Sequence, residues 1–91
     1  MSNSLPSSIR LKIITPQRLE VDQEVMSVVL PSTEGYIGIL PGHRPLIVAL
    51  GEGLITYHLN QKQNKLSVKG GLAEIEAERV IVFTRLSQKE E

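Results

Sequence analysis

The stretch that decides the predicted fold is EGYIGILPGHRPL, residues 34–46. It is the densest run of turn-forming residues in the chain, with Gly35, Gly38, Pro41, Gly42 and Pro45. Glycine accepts positive φ and proline fixes φ at about −65°, so a Pro-Gly step followed by a second proline predicts a tight corner. One short apolar strand is expected before this corner, and a second from residue 46 onward. The core is expected to take up the apolar side chains on both sides, Ile37, Ile39, Leu40 and Leu46.

The corner is predicted to leave four polar side chains outside the core: Glu34, Tyr36, His43 and Arg44. Three interpretations are possible, namely a surface for a partner, a catalytic site, or a corner with a structural role only. Tyr36 favours the first, because an exposed aromatic side chain with a hydroxyl group is typical of interfaces. Arg44 is either a solvated charge or a donor for a partner's carboxylates or carbonyl groups.

A hydrolytic site at this corner would need His43 beside a nucleophile and an orienting carboxylate. Ser32, Thr33 and Glu34 are close in sequence. The strained turn that exposes a nucleophile is not predicted around them. The pattern therefore favours a turn or interface role for His43, with catalysis as an alternative.

The rest of the chain consists of short runs that alternate apolar and polar residues, as half-buried strands do. Residues 9–13 (IRLKI) and 54–60 (LITYHLN) show this alternation most clearly. Turn signals separate the runs, at residues 15–17, 31–35, 51–53, 61–64 and 70–71. No stretch has the periodicity of an amphipathic helix, so the fold class is predicted as all-β, a small β-sandwich or flattened barrel of about ten short strands. Residues 51–53 are expected to break a strand, and residues 70–71 to form a bend or bulge.

One domain is expected from the 91 residues of this chain. Its predicted parts are a flexible N-terminus over residues 1–8, the sandwich over residues 9–86 and a charged tail over residues 87–91. The ten basic and ten acidic residues cancel, which argues against nucleic acid as a partner. No apolar run approaches the roughly 20 residues of a membrane-spanning helix, and no targeting peptide is visible.

Composition also argues against a cofactor or metal site. The chain has no cysteine, which excludes disulfides and thiolate ligands. No acidic residues are spaced to complete a zinc site with its two histidines, His43 and His58. The glycine pairs lie between strands with no helix after them, so a nucleotide-binding loop is not predicted. The residues alone therefore indicate an interaction module without an active site, with Tyr57 and Phe83 assigned to the core.

Residues 34–46 are similar to the pattern EGxxG(I/V)xPGHxPL of the epsilon subunit of F-type ATP synthases, whose mitochondrial counterpart is called delta. The resemblance extends over nearly the whole chain. Residues 15–16, 25–31 and 53–55 match the family's first turn, its strand ending in Leu-Pro, and its glycine and strand after the corner. Residues 70–82 are similar to the family's closing GGxxE(V/I) and VxV pattern. Two motifs in the correct order make the resemblance specific.

The resemblance implies a ten-stranded β-sandwich that acts as a non-catalytic rotor subunit. In the family, the sandwich binds the gamma subunit with one side and rests on the membrane-embedded c-ring with its lower loops, and so couples ion-driven rotation to ATP synthesis. Gamma and the c-ring are therefore the expected partners, with no cofactor, no metal and no small-molecule substrate. The expected location is peripheral, on the cytoplasmic (or equivalent) face of an energy-coupling membrane that the chain contacts only through the c-ring.

Two sets of site residues follow from the resemblance. The family's ring-contacting loop corresponds to Glu34, Gly35, Tyr36 and Gly38. The family's positions that lie at or near gamma correspond to Thr15, His43 and Val48. Arg44 stands where many relatives have a small residue, so the resemblance assigns it no role.

The sequence ends at Glu91, shortly after the last predicted strand. Most bacterial members of the family continue into a two-helix hairpin that can inhibit ATP hydrolysis. The expectation is therefore coupling without that inhibition, and whether the shorter length is natural stays open. Two alternatives to the rotor role are a stand-alone hydrolase built on His43 and Glu34, and a generic β-sandwich adaptor.

Overall fold

A computed structural model describes residues 6–87 of the chain. The predictions of a flexible N-terminus and a charged tail fall largely on residues 1–5 and 88–91, which lie outside the described residues. Within residues 6–87, every regular element is a strand. This range holds no helix with the length and apolar character needed to cross a membrane.

Seven strands form one hydrogen-bonded sheet in the order β2-β1-β7-β6-β5-β3-β4. Neighbouring strands are antiparallel except for β1 and β7, which are parallel. The strands are β1 (Ile9–Ile14), β2 (Leu19–Val25), β3 (Ser27–Ser32), β4 (Gly35–Ile39), β5 (Leu46–Leu59), β6 (Lys62–Ile75) and β7 (Arg79–Leu86).

β5 and β6 form one continuous hairpin, with each strand 14 residues long. Its pairing keeps one register from Leu46 opposite Ile75 to Leu59 opposite Lys62. The prediction that residues 51–53 break a strand is therefore wrong, and the described chain has fewer and longer strands than predicted. Glycine weakens a strand but keeps its backbone N–H and C=O, so the ladder continues through it. The bend predicted at residues 70–71 is confirmed as a register shift between β6 and β7.

The inner face of this hairpin changes near its glycines. The buried side chains of β5 are Val48 and Leu50 in the first half, and Ile55 and Tyr57 in the second half. Because side chains alternate along a strand, this change from even to odd positions turns opposite faces of the hairpin to the core. In the first half of the hairpin, β6 pairs onward with β7. In the second half, β5 pairs with β3. The hairpin therefore belongs to both layers of a folded sheet, and the predicted all-β sandwich is confirmed.

All seven strands contribute to a single apolar core. Each isoleucine, leucine or valine buried there contributes about 1.5–3 kcal/mol relative to an exposed position. Two buried polar residues, Thr15 and Thr84, have hydrogen-bond partners for their hydroxyl groups. The core residues are Ile9, Leu11, Ile13, Val25, Val28, Leu30, Ile39, Val48, Leu50, Ile55, Tyr57, Val68, Ala73, Ile75, Val80 and Val82.

The corner of residues 40–45 lies outside this core. Ile39 is buried and Ile37 packs against the core from a half-buried position, as predicted. Leu40 and Leu46 are 65% and 43% exposed, so the core role predicted for them is wrong. The chain leaves its strand pairing after Ile39, and the corner then lies against the turn between β6 and β7 instead of over the interior.

The two aromatic residues assigned to the core have different environments. Tyr57 is buried as predicted, and this burial raises the pKa of its phenol above the ordinary value. Phe83 is 43% exposed, so its assignment is wrong. Val82 and Thr84 occupy the inward positions of β7, and alternation along the strand turns Phe83 to the outer face.

Candidate interaction surfaces

The residues predicted to contact the c-ring lie together on the hairpin of β3 and β4. Ser32 orders the turn, because its hydroxyl donates to the Gly35 carbonyl (2.6 Å) and accepts the Glu34 N–H (3.1 Å). Gly35 has a φ of 121°, a conformation that residues other than glycine rarely adopt. Glu34, Gly35, Tyr36 and Gly38 are all exposed. The structure thus groups these four residues on one accessible hairpin, three at or beside its turn and Gly38 within β4, and their contact with a c-ring stays a prediction.

Two backbone hydrogen bonds hold the corner of residues 40–45. The His43 N–H donates to the Leu40 carbonyl (3.2 Å) and closes the turn. The Gly42 N–H donates to the Ala77 carbonyl (2.8 Å), which ties the corner to the turn between β6 and β7. Gly42 has a φ of 89°, so the Pro-Gly step adopts the left-handed conformation that its sequence predicts.

The His43 side chain is used within this corner. Its Nδ1 lies 2.7 Å from the Arg44 carbonyl oxygen. Because a carbonyl oxygen only accepts, Nδ1 carries the proton in this hydrogen bond. His43 is half-buried and Arg44 is exposed. The corner itself therefore orients the ring, and contact of His43 with a gamma subunit stays a prediction.

An apolar row crosses the outer face of four adjacent strands. Ala49 of β5 pairs with Leu72 of β6, which pairs with Phe83 of β7, which in turn pairs with Ile14 of β1. Leu72 and Phe83 are 40% and 43% exposed, and Ile47, two positions before Ala49, is 66% exposed. These five residues are named the apolar row. Since cross-strand partners lie about 4.5–5.5 Å apart, they form one continuous surface of the kind that marks interaction sites.

Reasoning from the sequence missed the apolar row. Ile14, Leu72 and Phe83 alternate with buried side chains on their strands, so along the chain each is an isolated apolar residue. Ile47 and Ala49 lie in the apolar run of residues 46–50, where alternation does not distinguish the outer face from the inner one. The register between strands brings these isolated positions together. A comparison of outward positions could have indicated the row: they are charged on the edge strand β2, at Asp22 and Glu24, but apolar at Leu72 and Phe83.

Positive charge accompanies the apolar row. Lys12 and Arg85 lie two positions from Ile14 and Phe83 on the same faces of β1 and β7. A groove of about 390 Å³ beside the row is lined by Ile14 and Phe83 and by the cations Lys69 and Arg85. Among residues 6–87, these cations form no ion pair. The surface therefore suits a partner that combines apolar and acidic groups.

Thr15, one of the residues predicted to face gamma, is buried at the turn between β1 and β2. It is 5% exposed. Its hydroxyl accepts the N–H groups of Gln17 and Arg18 (both 3.3 Å) and lies 3.1 Å from the Glu20 carboxylate. These bonds give Thr15 a structural role in the turn. Ile14, directly before it, is a member of the apolar row.

Val48, the third of these residues, belongs to the core and is 9% exposed. Its neighbours Ile47 and Ala49 point to the opposite, outer face and are members of the apolar row. The structure therefore does not present the side chains of Thr15 and Val48 on an open surface. It places both directly beside residues that are presented there.

The hydrolase alternative requires His43 beside a nucleophile and a carboxylate, but His43 lies in a different turn from Ser32, Thr33 and Glu34. The Ser32 hydroxyl is hydrogen-bonded within its own turn, and the Thr33 N–H donates to the Ala49 carbonyl (3.0 Å). His43 is bonded within the corner of residues 40–45. Neither His43 nor Glu34 lines the grooves of about 570, 390 and 410 Å³ on the described part of the chain.

The groove of about 570 Å³ is lined by charges of both signs, two arginines and three glutamates. Arg10 lies 2.8 Å from Asp22, and Arg79 lies 2.8 Å from Glu76. The hydrogen bond and the negative charge of Asp22 raise the pKa of the Arg10 guanidinium. No three histidine, aspartate or glutamate side chains within residues 6–87 are grouped so that they could hold a metal ion.

Fold and surface together define a small all-β domain whose distinctive parts are an exposed turn, a corner and an apolar row. The family model for the ATP synthase delta/epsilon chain, β-sandwich domain, matches residues 8–87. The chain belongs to this family.

Curated relatives carry the same designation. The ATP synthase epsilon chains of Solibacter usitatus and Carboxydothermus hydrogenoformans are each 36% identical over 87 residues, which cover 96% of this chain. The match spans 65% of the length of each relative.

Solved structures share the fold. A chain of the Euglena gracilis mitochondrial ATP synthase, solved with its c-ring, superposes with a TM-score of 0.83 at 21% identity, covering 92% of this chain and 54% of that chain. A chain of the central stalk and c-ring of the Tetrahymena thermophila mitochondrial ATP synthase gives a TM-score of 0.74 at 10% identity, covering 90% and 66%.

Proposed function

We propose that this chain is a non-catalytic central-stalk subunit of an F-type ATP synthase. It joins the gamma subunit to the c-ring and couples ion-driven rotation to ATP synthesis. Membership of the delta/epsilon family and the designation of its relatives as epsilon chains support this role. Proteins of the same fold occur in ATP synthase assemblies that include a c-ring.

The apolar row is the observation that carries the proposal. Leu72 and Phe83 lie side by side and stay 40% and 43% exposed, so part of the roughly 1.5–3 kcal/mol that full burial of each side chain contributes is not realised in the free chain. A permanent partner completes this burial. Stable interfaces have such an apolar centre. The row also lies on paired strands rather than on a loop. A rotor joint that must resist torque needs such a stiff support.

We assign the gamma contact to the apolar row together with the corner of residues 40–45. His43 belongs to the corner, Thr15 follows Ile14, and Val48 lies between two members of the row. Because Thr15 and Val48 are buried, their outward-facing neighbours, half-buried Ile14 and exposed Ile47 and Ala49, make the proposed contact. The cations beside the row favour acidic groups on the facing surface of gamma.

We assign the c-ring contact to the exposed end of the β3–β4 hairpin, which carries Glu34, Gly35, Tyr36 and Gly38. The hydrogen bonds of Ser32 restrict this turn before any partner binds, which lowers the entropic cost of association. In this arrangement the chain is a peripheral component of an energy-coupling membrane complex, on the cytoplasmic (or equivalent) face. It contacts the membrane only through the ring.

We assign the chain no catalysis, no cofactor and no small-molecule substrate of its own. The Ser32 hydroxyl and the His43 ring are hydrogen-bonded in different turns, and the described grooves do not join His43 to Glu34. Turnover of a hydrolysable substrate that disappears in His43→Ala would instead support the hydrolase alternative.

Reconstitution tests the rotor role directly. The purified chain is mixed with gamma, and separately with detergent-purified c-ring and gamma together, and complexes are resolved by size-exclusion chromatography. The proposal expects a stable complex with gamma and a larger one that includes the ring. A folded chain that binds neither partner would contradict the rotor role and favour a generic adaptor.

Gly38→Trp tests the assignment of the ring-facing turn. A Cβ at Gly38 meets no atom within 4 Å and its φ is not in the left-handed region, so a side chain starts there without a clash at its Cβ and adds bulk to the proposed ring-facing surface. Ring binding is expected to weaken about tenfold or more, as for a central interface position. Lys65→Trp, at an exposed position of β6, is the matched control. Equal ring binding by both variants would contradict the assignment.

A further inference from the structure

Pro31 interrupts the ladder between β3 and β5. Val29 pairs with Thr56, and two further steps along each strand would place Pro31 opposite Leu54. Proline has no N–H to donate, so it cannot complete a pair in the interior of a sheet. The register shifts here, and the next pair joins Ser32 to Leu50.

The Tyr36 hydroxyl takes up a backbone group at this interruption. Tyr36 lies on β4 directly opposite Pro31, and its side chain reaches across β3 to β5. Its hydroxyl accepts the Leu54 N–H at 3.1 Å. A side chain of the outer edge strand therefore bonds to the second strand inward, and connects three strands at the position where the ladder fails.

Gly53 provides the space for this contact. A Cβ at Gly53 would overlap the Tyr36 hydroxyl and lie 2.9 Å from the Pro31 Cβ. The φ of Gly53 is not in the left-handed region, so any residue could adopt its backbone conformation. Glycine is needed here for room rather than for conformation. Gly51, two positions earlier, has no such neighbour, because the nearest atom to its Cβ would be 3.8 Å away.

We propose that Tyr36 is a positioning residue: its hydroxyl, bound to the Leu54 N–H over Pro31 and Gly53, fixes the turn of residues 33–36 against β5. The exposed aromatic side chain of Tyr36 is then only part of its role. The consequence for binding of the c-ring rests on the proposed function, whereas the hydrogen bond belongs to the free chain. The backbone at Glu34 is then restrained from both sides, by Ser32 and by Tyr36.

Amide hydrogen exchange of the free chain tests the hydrogen bond. Tyr36→Phe removes only the hydroxyl, and the Leu54 amide is expected to exchange roughly fivefold to tenfold faster, the effect of one lost hydrogen bond. Gly53→Ala is expected to produce the same change by displacing Tyr36, and the double variant no more than either single one. Tyr57→Phe and Gly51→Ala are the matched controls. An unchanged Leu54 amide in Tyr36→Phe would overturn the proposal.

Binding to the reconstituted gamma–c-ring complex tests the consequence. Tyr36→Phe retains the aromatic ring, so a loss of affinity of about threefold or more reports positioning rather than lost contact area. Faster exchange of the Leu54 amide with unchanged affinity for the c-ring would overturn the role of Tyr36 in binding. Failure of the wild-type chain to bind the ring would overturn the proposed function instead, while the exchange measurement still decides the positioning of the turn.

Discussion

Leu72 and Phe83 are direct cross-strand partners on β6 and β7, and both point away from the core at 40% and 43% exposure. Their inward neighbours, Ala73 and Val82, are also paired with each other and are fully buried. The sheet between them is therefore apolar on both faces. A sheet with one solvated face normally alternates apolar and polar residues, so this position resembles a strand pair that is covered on both sides.

Phe83→Thr is expected to weaken binding to gamma by about tenfold or more, because it removes an aromatic side chain from the centre of the apolar row. Threonine retains a high strand propensity, so the free energy of unfolding should change by no more than about 1 kcal/mol. Titration calorimetry measures the affinity, and urea unfolding measures the stability. Leu19→Thr, at a leucine of β2 that is 49% exposed, is the control. A loss of affinity in Leu19→Thr as large as in Phe83→Thr would contradict the assigned surface.

Gly71→Ala is expected to destabilise the fold by about 2–5 kcal/mol, through backbone strain and overlap together. Gly71 has a φ of 124°, and a Cβ there would overlap the Phe83 carbonyl oxygen and lie 2.9 Å from the Thr84 Cα. The neighbouring Gly70 has a φ of 75° but open space around its Cβ. Gly70→Ala should therefore cost only about 1–2 kcal/mol, the strain of a left-handed residue. Chemical denaturation that ranks the two variants in the reverse order would refute this explanation.

Two isoleucines of β5 provide a matched test of which face is buried. Ile55 is 0% exposed and Ile47 is 66% exposed. Ile55→Ala should lower the free energy of unfolding by about 2–5 kcal/mol because it leaves a cavity, whereas Ile47→Ala should change it by no more than about 0.5 kcal/mol. Thermal or urea unfolding checks both values. Similar losses for the two variants would mean that the inner face does not change along β5.

Tyr57 predicts a specific loss of stability at alkaline pH. Burial raises the pKa of its phenol in the folded chain, so the unfolded chain ionises first as the pH rises. The stability that Tyr57 contributes is therefore complete below the unfolded pKa of about 10 and is lost as the pH rises through the folded pKa. Urea unfolding is measured at a series of pH values from about pH 8 to above the unfolded pKa. The free energy of unfolding should fall more steeply with pH for the wild type than for Tyr57→Phe. Parallel curves would show that Tyr57 is not the cause.

The corner of residues 40–45 shows how far local reasoning extends. Its turn followed from Pro41 and Gly42, because φ preferences act within one or two residues. The exposure of Leu40 and Leu46 did not follow, because it depends on the hydrogen bond from Gly42 to Ala77, a residue distant in sequence. Local chemistry specified the shape of the corner, and a long-range contact specified where it lies.

The strand breaks show the same division. Residues 51–53 and 70–71 carry similar glycine signals, yet the hairpin of β5 and β6 passes through both. A glycine ends a strand only where its neighbours lose their pairing partners, and those partners lie on another strand. Strand identity could therefore be predicted from alternation, whereas strand length could not.

The candidate surfaces divide in the same way. Glu34, Gly35, Tyr36 and Gly38 are close in sequence, so one motif could identify them as an exposed turn. The apolar row could not be found in this manner, because its members come from four strands and meet only through the sheet register. The partnership of Tyr36 with Leu54 likewise depends on Pro31 and Gly53 being brought between them.

The amino-acid sequence alone determined the all-β class, most of the turns, the family resemblance and the core positions of Ile39 and Tyr57, since alternation, glycine and proline act locally along the chain. Tertiary structure alone decided which face of β5 is buried in each half, that Thr15 and Val48 are covered, and that Phe83 joins an exposed apolar row. The physical reason is that burial is a property of pairing and layering. A residue on a strand has two faces available to it, and only its long-range partners determine which one meets water.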